Sequence, residues 1–528
     1  MKKYIYKAAF GLSLAAITLT SCEKMLDLQP LNDVTSEVVY SNATGYKQSL
    51  AKVYGSFALT GNSGPAGSAD VVGLDEGSNG DFYRTFWQAQ QLSTDETVIS
   101  WGDAGVQDFH NMNWTSDNPF LKGLYFKSVY QITLVNEFLR QSEDAKLSER
   151  SISGADAEEI RKNRAEVRFL RAFQYWVLMD MYGNPPFVTE NDLIGGTLPK
   201  QISRADLFNY VESELKAIET ELPDTKTADY YGRANKFAAQ ALLARIYLNA
   251  KVYTGTAKDN EAVIYSKKVI DGGYSLMSNY HNLLRNDNNV NNPETIMTIN
   301  YDGNKTQLYG GTTFLAHASV GGSMKAANYG LDGAWAGLRT TKALVNLFPN
   351  GDGSLDKRAQ FYTDGQSLEI NSLSTFTDGY AITKYQNKNS AGVSGANATF
   401  VDADVPLFRL AEMYLIYAEA TLRGGAGDNG LALTYFNNLR ARAYGNTSGN
   451  VGGLNLNLIL DERARELYWE GHRRTDLIRY GKFTTADYVW PWKGGVKAGK
   501  SVETFKNIFP LPSADVTANP NLVQNTGY

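Results

Sequence analysis

Aromatic and charged side chains are concentrated between residues 75 and 114. This stretch contains Asp75, Tyr83, Arg84, Trp87, Asp95, Glu96, Trp101, Asp103, Asp108 and Trp114. Aromatic faces stack on the apolar side of a pyranose, while carboxylate and guanidinium groups bond its hydroxyls. The combination therefore predicts a sugar-binding surface. Within it, we expect Trp87 and Trp114 to lie in the protein core instead.

More distant aromatic residues are candidates for the same surface. Tyr301 and Tyr309 lie in an Asn-rich central segment, and Trp335 stands in the run Ala-Trp-Ala-Gly. Tyrosine and tryptophan offer a flat apolar face with a polar atom at one end, which suits a sugar site and a protein core equally. Of the two tyrosines we select Tyr301, together with Trp335. Packing in the core is the competing interpretation for each aromatic residue.

Cys22 is the only cysteine, and its position predicts attachment of a lipid. A lysine-bearing start is followed by an apolar stretch over residues 8–19 and by small residues at 20 and 21, the order of an export signal. The thiolate of a cysteine just after the cut is the nucleophile that takes a diacylglyceryl group. We therefore expect residues 1–21 to be a signal peptide and Cys22 to be the acylated first residue. With Cys22 acylated, disulfides, thiol catalysis and cysteine metal sites are excluded.

The composition is that of a folded protein with a mildly acidic surface. The 528 residues are 43% hydrophobic and 20% charged, and their formal net charge is −5. Such a balance argues against nucleic acid as a partner and against electrostatic attachment to anionic lipid. We therefore expect membrane attachment through the lipid anchor only.

Helical periodicity dominates the rest of the chain. Apolar residues recur at three- and four-residue spacing over residues 43–59, 121–141, 160–182, 204–221, 235–251, 262–271, 340–348, 407–423, 431–443 and 459–480. Alanines at 238, 239, 241 and 244 allow helices to approach closely. The predicted fold is mainly α, a tetratricopeptide-like scaffold of helical hairpins with long irregular loops over residues 60–118, 272–335 and 349–405. We expect the ligand to bind in these loops.

Four stretches of sequence carry a family resemblance. They are residues 164–173 (RAEVRFLRAF) with 181–186 (MYGNPP), 407–420 (LFRLAEMYLIYAEA), 462–477 (ERARELYWEGHRRTDL), and 509–512 (FPLP) with 519–525 (NPNLVQN). Together they resemble signatures of the SusD/RagB family of Bacteroidetes, and the residues before Cys22 resemble a lipobox. The resemblance extends over nearly the whole chain after residue 22.

This resemblance implies a surface lipoprotein of the outer membrane that captures glycans without chemistry. A SusC-like TonB-dependent transporter would be its partner. In the starch-binding member of the family, a tryptophan just after a Thr-Asp-Glu run stacks on the glycan, and the matching residue is Trp101. Asp75 and Arg84 would supply polar contacts, whereas Ile99 stands where a second aromatic residue would be expected. For Glu466, Glu470, Arg473, Arg474 and Asp476 the resemblance implies a buried ion-pair network.

The predicted division is a tether over residues 22–35, an N-terminal part over 36–230 and a C-terminal part over 231–528, with both parts in one compact unit. We expect no cofactor, although the acidic loop around Asp352 and Asp356 leaves room for a structural calcium. Three alternatives stay open: a binder of peptides, an anchored glycan-cleaving enzyme, and a helical adaptor without a small ligand.

Overall fold

The computed structural model describes residues 35–65, 67–192 and 195–528. Within them the chain is mainly helical, as predicted. The α-helices are α1 (Ser36–Val39), α2 (Ala43–Ala58), α3 (Phe82–Gln91), α4 (Asp108–Asn111), α5 (Pro119–Gln141), α6 (Asp144–Glu149), α7 (Gly154–Tyr182), α8 (Arg204–Ile218), α9 (Lys236–Leu248), α10 (Ala250–Thr254), α11 (Asp259–Ile270), α12 (Gly311–Ala318), α13 (Lys342–Val345), α14 (Leu410–Leu422), α15 (Asn429–Tyr444), α16 (Leu456–Leu467), α17 (Arg473–Arg479) and α18 (Ser513–Ala518). Cys22 lies outside the described residues.

The strands are short and pair two by two, always antiparallel. They are β1 (Val98–Ile99) with β5 (Leu338–Arg339), β2 (Pro186–Phe187) with β3 (Lys200–Gln201), β4 (Thr295–Ile299) with β8 (Val405–Arg409), and β6 (Phe361–Tyr362) with β7 (Ala381–Ile382). Two pairs, β1 with β5 and β4 with β8, join segments that are distant along the chain. The other two pairs join segments that are close in sequence. None of the described helices is both long and apolar enough to cross a membrane.

The long helices pack in a chain of neighbours. Helix α7 packs against α5 and α8, α11 lies between α9 and α14, and α14 contacts α15. The alanines of α9 are fully buried, so this helix approaches its neighbours closely. These contacts agree with paired helices, while the tetratricopeptide comparison stays a prediction. The division near residue 230 also stays a prediction, although the ion pair between Asp95 and Arg473 joins its two sides.

Most predicted helices are confirmed, but the one expected over residues 459–480 is wrong. The chain breaks between α16 and α17, where Trp469 has φ 63° and Gly471 has φ 83°. The carbonyl oxygen of Trp469 accepts hydrogen bonds from the Trp87 indole at 2.9 Å and from the Tyr385 hydroxyl at 2.9 Å. These buried partners hold the backbone out of the helical conformation. The helix expected over 340–348 shortens to α13, and the stretches predicted as loops contain the buried helices α3 and α12.

The buried ion-pair network is present around Glu466 and Glu470. Arg409 lies 2.5 Å from Glu466 and 2.7 Å from Glu470, and Lys384 lies 2.7 Å from Glu470. Burial alone would raise the pKa of Glu470, but the positive charges of Arg409 and Lys384 outweigh it and lower that pKa to about 2. The charges therefore neutralise one another inside the protein.

Arg473 and Asp476 are ion-paired as expected, but Arg474 is not. Arg473 lies 2.6 Å from Asp95, and Asp476 lies 2.7 Å from Arg463. Arg474 makes no salt bridge in the described part of the chain. Its guanidinium lies 4.2 Å from the centre of the Phe509 ring and donates to a backbone oxygen, and burial lowers its pKa to about 10. Its expected place in the network is wrong, because the guanidinium packs on the rings of Phe483 and Phe509 and no described carboxylate lies within ion-pair distance.

Candidate functional site

Pairing of β1 with β5 brings Trp101 next to Trp335. Val98 lies opposite Arg339 and Ile99 opposite Leu338, so Trp101 just after one strand faces Trp335 just before the other. The indole N–H of Trp101 donates to the carbonyl oxygen of Trp335 at 3.0 Å, and the two ring centres are 6.4 Å apart. Both side chains are half-buried. Two of the predicted residues, distant in sequence, therefore form one surface.

Glycine at position 337 permits this close approach. A Cβ atom there would lie 2.7 Å from the Trp101 ring, which is shorter than carbon atoms tolerate. On its other side the Trp101 ring meets the edge of Phe314 on α12, with ring centres 5.8 Å apart. The position of Trp101 is therefore determined by α12 and by the strand pair.

Tyr309 extends the aromatic surface beyond Trp335. Its ring centre lies 6.3 Å from that of Trp335 and 5.5 Å from that of Phe400. Tyr309 is half-buried, as are both tryptophans. We call Trp101, Trp335 and Tyr309 the aromatic cluster. Three half-exposed rings in series offer stacking faces to successive units of a chain-like ligand.

Tyr301 does not join the aromatic cluster. Its side chain is only 6% exposed, and its ring packs so closely on Gly311 that a Cβ atom there would lie 2.5 Å away. Burial raises the pKa of its hydroxyl well above the ordinary value. Of the two tyrosines considered from the sequence, Tyr309 is the one with an accessible ring. Nothing in the local sequence separates them, because the contrast depends on α12 covering Tyr301.

Arg84 lies beneath Trp101 at the start of α3. Its guanidinium is 4.4 Å from the centre of the Phe314 ring and 5.8 Å from that of Trp101. One terminal nitrogen donates to the carbonyl oxygen of Gly77 at 2.7 Å. Burial lowers the pKa of Arg84 to about 10. The negative charges of Asp81, Asp103 and Asp75 act to raise this pKa but do not outweigh burial. The guanidinium therefore supports the tryptophan and attracts carboxylates to its side.

Asp75 and Asp103 supply acidic groups near this edge. Both side chains are exposed, and Asp75 accepts a hydrogen bond from the Ser78 hydroxyl at 2.9 Å. Asp103 follows Trp101 by two residues, and Asp75 precedes Gly77, whose carbonyl oxygen accepts from Arg84 at 2.7 Å. Exposed carboxylates beside an aromatic face are suited to bonding sugar hydroxyls. The predicted Asp75, Arg84, Trp101 and Trp335 thus lie in one region.

The acidic residues of the Thr-Asp-Glu run face the protein interior instead. Asp95 pairs with Arg473 at 2.6 Å and accepts from the Tyr488 hydroxyl at 2.5 Å. Glu96 is 2% exposed, and burial raises its pKa to about 8. These carboxylates therefore position the segment before Trp101 and are not available to a ligand.

No group of three metal-ligating side chains occurs among residues 35–65, 67–192 and 195–528. Asp356, one of the two acidic residues considered for calcium, is fully buried and its carboxylate lies 2.7 Å from Arg358. The guanidinium neutralises the charge that a cation would need. Asp352 is exposed on the same loop.

Three sizeable cavities lie away from the aromatic cluster. A mainly apolar cavity of about 430 Å³ lies between α2, α7 and β4, and two larger ones of about 680 and 690 Å³ adjoin it around Tyr230. No residue of the aromatic cluster lines any of these three. The aromatic cluster lies apart from these three cavities, and its rings are partly accessible at the surface, which suits a chain-like ligand.

Comparison with known proteins decides the family. The family described as "SusD family" matches residues 358–528, and the one described as "Starch-binding associating with outer membrane" matches residues 69–248. The starch-binding protein SusD of Bacteroides thetaiotaomicron is 34% identical, over all of this chain and all of that protein. The chain belongs to the SusD family.

Other members of the SusD family are less similar in sequence. The SusD-like protein P25 of Formosa agariphila is 24% identical over 96% of this chain and 97% of its own length. A SusD superfamily protein from Parabacteroides distasonis has the same fold, with a TM-score of 0.71, 21% identity, and coverage of 92% of this chain and 98% of its own. The surface glycan-binding protein A of Bacteroides thetaiotaomicron, solved with laminarihexaose, gives a TM-score of 0.68, 19% identity, and coverage of 91% and 99%. Relatives in the family are described as starch-binding or glycan-binding proteins, which agrees with the prediction of a binding protein rather than an enzyme.

Proposed function

We propose that this SusD family member binds an oligosaccharide on the aromatic cluster and delivers it to a TonB-dependent transporter of the outer membrane. The observation that carries the proposal is the series of three half-exposed rings, Trp101, Trp335 and Tyr309, with charged groups at one end. Stacking on such rings is tolerant of chain length, because every pyranose has an apolar face. The cluster is suited to a polymer held at several units.

A starch-type glucan is the first ligand to test. The relative that is 34% identical over its full length is a starch-binding protein. Laminarin is the second ligand, because a protein of the same fold is described as laminarin binding, although at 22% identity that likeness concerns the fold alone. Peptides complete the panel as the alternative class of cargo.

Calorimetric titration of the protein lacking its signal, with maltoheptaose, laminarihexaose and a peptide mixture, tests the proposal. We expect binding to one glycan and none to peptides. Trp335→Ala should abolish that binding, because the ring supplies the central stacking face. Trp492→Ala is the matched control, since Trp492 is also half-buried and also donates its indole N–H to a backbone oxygen at 3.0 Å. Glycan binding that survives Trp335→Ala would remove the aromatic cluster from the proposal.

Delivery and anchoring need a separate experiment in cells. We propose that the lipid on Cys22 holds the protein in the outer membrane, facing the exterior, beside its SusC-like transporter. Two or three acyl chains hold a protein far more firmly than one. Cys22→Ser should leave glycan binding by the purified protein unchanged, release the protein from the membrane fraction and reduce glycan uptake. A variant that stays in the membrane fraction would contradict the anchor.

A further inference from the structure

One of the three cavities is lined mainly by uncharged polar side chains. It has a volume of about 690 Å³ and lies between the segment that joins α8 to α9, the segment after α11, and β4. We call it the amide cavity. Of the described residues that line it, Lys226 alone is charged, whereas eight described charged residues line the neighbouring cavity of about 680 Å³. The two cavities therefore offer different chemistry to a ligand.

The charge in the amide cavity suits a neutral ligand. The ammonium group of Lys226 donates to the carbonyl oxygen of Gly272 at 2.6 Å and lies 4.8 Å from the centre of the Tyr274 ring. An anion would find only this one ammonium group, which already has a partner. A cation would find no carboxylate among the described lining residues. Because a charged group loses free energy on burial unless it is paired, a neutral ligand is favoured.

The asparagines of the cavity come from the Asn-rich segment before β4. The side chains of Asn289 and Asn291 are exposed at the cavity wall. The amide oxygen of Asn292 accepts from the backbone N–H groups of Glu294 at 3.1 Å and Thr295 at 3.3 Å, so this side chain holds the segment in place. An amide both donates and accepts hydrogen bonds, as a sugar hydroxyl does. The lining therefore matches a neutral molecule with many hydroxyl groups.

Tyr274 brings an unpaired hydroxyl to the same cavity. Its ring is half-buried and meets the edge of Phe237, with ring centres 5.4 Å apart. Its hydroxyl is buried and has no hydrogen-bond partner among the described residues. The other two tyrosines of the lining differ, because the hydroxyl of Tyr230 bonds Glu166 and that of Tyr231 bonds Asp404. Buried hydroxyl groups normally have a partner, and a ligand in the cavity can supply one here.

We propose that the amide cavity is a second saccharide site that takes a neutral sugar unit, an inference that rests on the proposed function for its role in glycan capture. Its volume is within the range of small-ligand sites, about 300–1,000 Å³. Each hydrogen bond to a sugar replaces one to water and gives a small net gain, so the site is weak. A polymer held at the aromatic cluster gains from such a site when the same chain reaches both.

Methyl NMR spectroscopy tests the site directly. Ile296 lines the amide cavity and is 6% exposed. In protein lacking its signal and labelled with ¹³C at the isoleucine δ1 methyl groups, the Ile296 signal is identified by its loss in Ile296→Val. We expect maltose to shift this signal with half-saturation at millimolar concentration, too weak to contribute to the calorimetric titration. Absence of a shift at tens of millimolar maltose would overturn the proposal.

Two substitutions in the lining test the assigned contacts. Tyr274→Phe keeps the ring but removes the unpaired hydroxyl, and Asn289→Ala removes an exposed amide. Each should raise the maltose concentration at half-saturation about fivefold without lowering the melting temperature. Tyr210→Phe is the matched control, because the Tyr210 hydroxyl is also buried without a described partner but lines none of the three cavities. An unchanged titration in both lining variants would overturn the site.

A charged sugar and a variant of the aromatic cluster complete the test. Sodium glucuronate should not shift the Ile296 signal, and a shift equal to that with maltose would overturn the choice of a neutral ligand. The maltose shift should persist in Trp335→Ala, because Trp335 does not line the cavity. Oligosaccharide binding at the aromatic cluster without the maltose shift would overturn the second site alone. The maltose shift without binding at the cluster would contradict the proposed function instead.

Discussion

The indole N–H of Trp101 donates to the backbone oxygen of Trp335 at 3.0 Å, across 234 positions of sequence. This bond fixes the Trp101 ring to the backbone that carries Trp335. The pairing of β1 with β5 supplies the same connection through the backbone, with Ser100 N–H bonded to the Gly337 oxygen at 2.9 Å. A substitution at Trp101 therefore changes the aromatic cluster as a whole and not only one ring.

Trp101→Ala should reduce glycan affinity at least tenfold, about 1.4 kcal/mol, because it removes a stacking face and releases Trp335. It should also lower the melting temperature measurably, since the ring packs on Phe314. Trp101→Phe keeps a face without the indole N–H and should lose less affinity. Calorimetric titration and thermal unfolding measure both effects. An unchanged affinity in Trp101→Ala would show that the glycan binds elsewhere.

Substitutions at Tyr309 and at Tyr301 should differ in their effect on glycan affinity. Tyr309→Ala should weaken glycan binding about tenfold, about 1.4 kcal/mol, because it removes a half-exposed ring, whereas Tyr309→Phe should keep most of the affinity. Tyr301→Phe should leave affinity unchanged, because the Tyr301 hydroxyl is buried and has no hydrogen-bond partner among the described residues. The three titrations are compared at one pH. Loss of binding in Tyr301→Phe alone would reverse our choice between the two tyrosines.

Glu466→Gln should destabilise the fold strongly. Glu466 contacts Arg358, Arg409 and Arg442, and its side chain is fully buried. Removing one member of a buried ion-pair network leaves uncompensated charge, at a cost of about 3–5 kcal/mol. Urea unfolding measures this change, and Glu37→Gln on the exposed surface is the control. A loss below about 1 kcal/mol would mean that the arginines find other partners.

The same network predicts loss of stability in acid. Neighbouring arginines hold the pKa of Glu462 at about 2, and Arg409 and Lys384 hold that of Glu470 at about 2, below the ordinary 4.5. A lowered pKa in the folded state means that the stabilisation is present above pH 4.5 and is lost as the pH falls toward 2. The urea concentration at the unfolding midpoint should therefore decrease as the pH is lowered from 4.5 to 2.5. Glu470→Gln should show a smaller fall, and a midpoint independent of pH in wild type would argue against the network.

Local patterns in the sequence predicted most of the helices, because apolar spacing reports which face of a helix is buried. They failed at residues 459–480, where the spacing continues through a break. Trp469 leaves the helical conformation because Trp87 and Tyr385 bond its carbonyl oxygen, and both lie far away in sequence. Helices α3 and α12 were missed because they lie in segments whose glycines and polar residues resemble loops.

By itself the sequence determined the family, the mainly helical fold and the residue types of a sugar site, because these depend on local composition and on motifs. Only the tertiary structure decided which residues meet. Tyr309 is accessible and Tyr301 is not, because α12 covers one and leaves the other beside Trp335. The Trp101 indole reaches the backbone oxygen of Trp335 because β1 pairs with β5. Such contacts form when distant segments pack together, and no spacing along the chain encodes them.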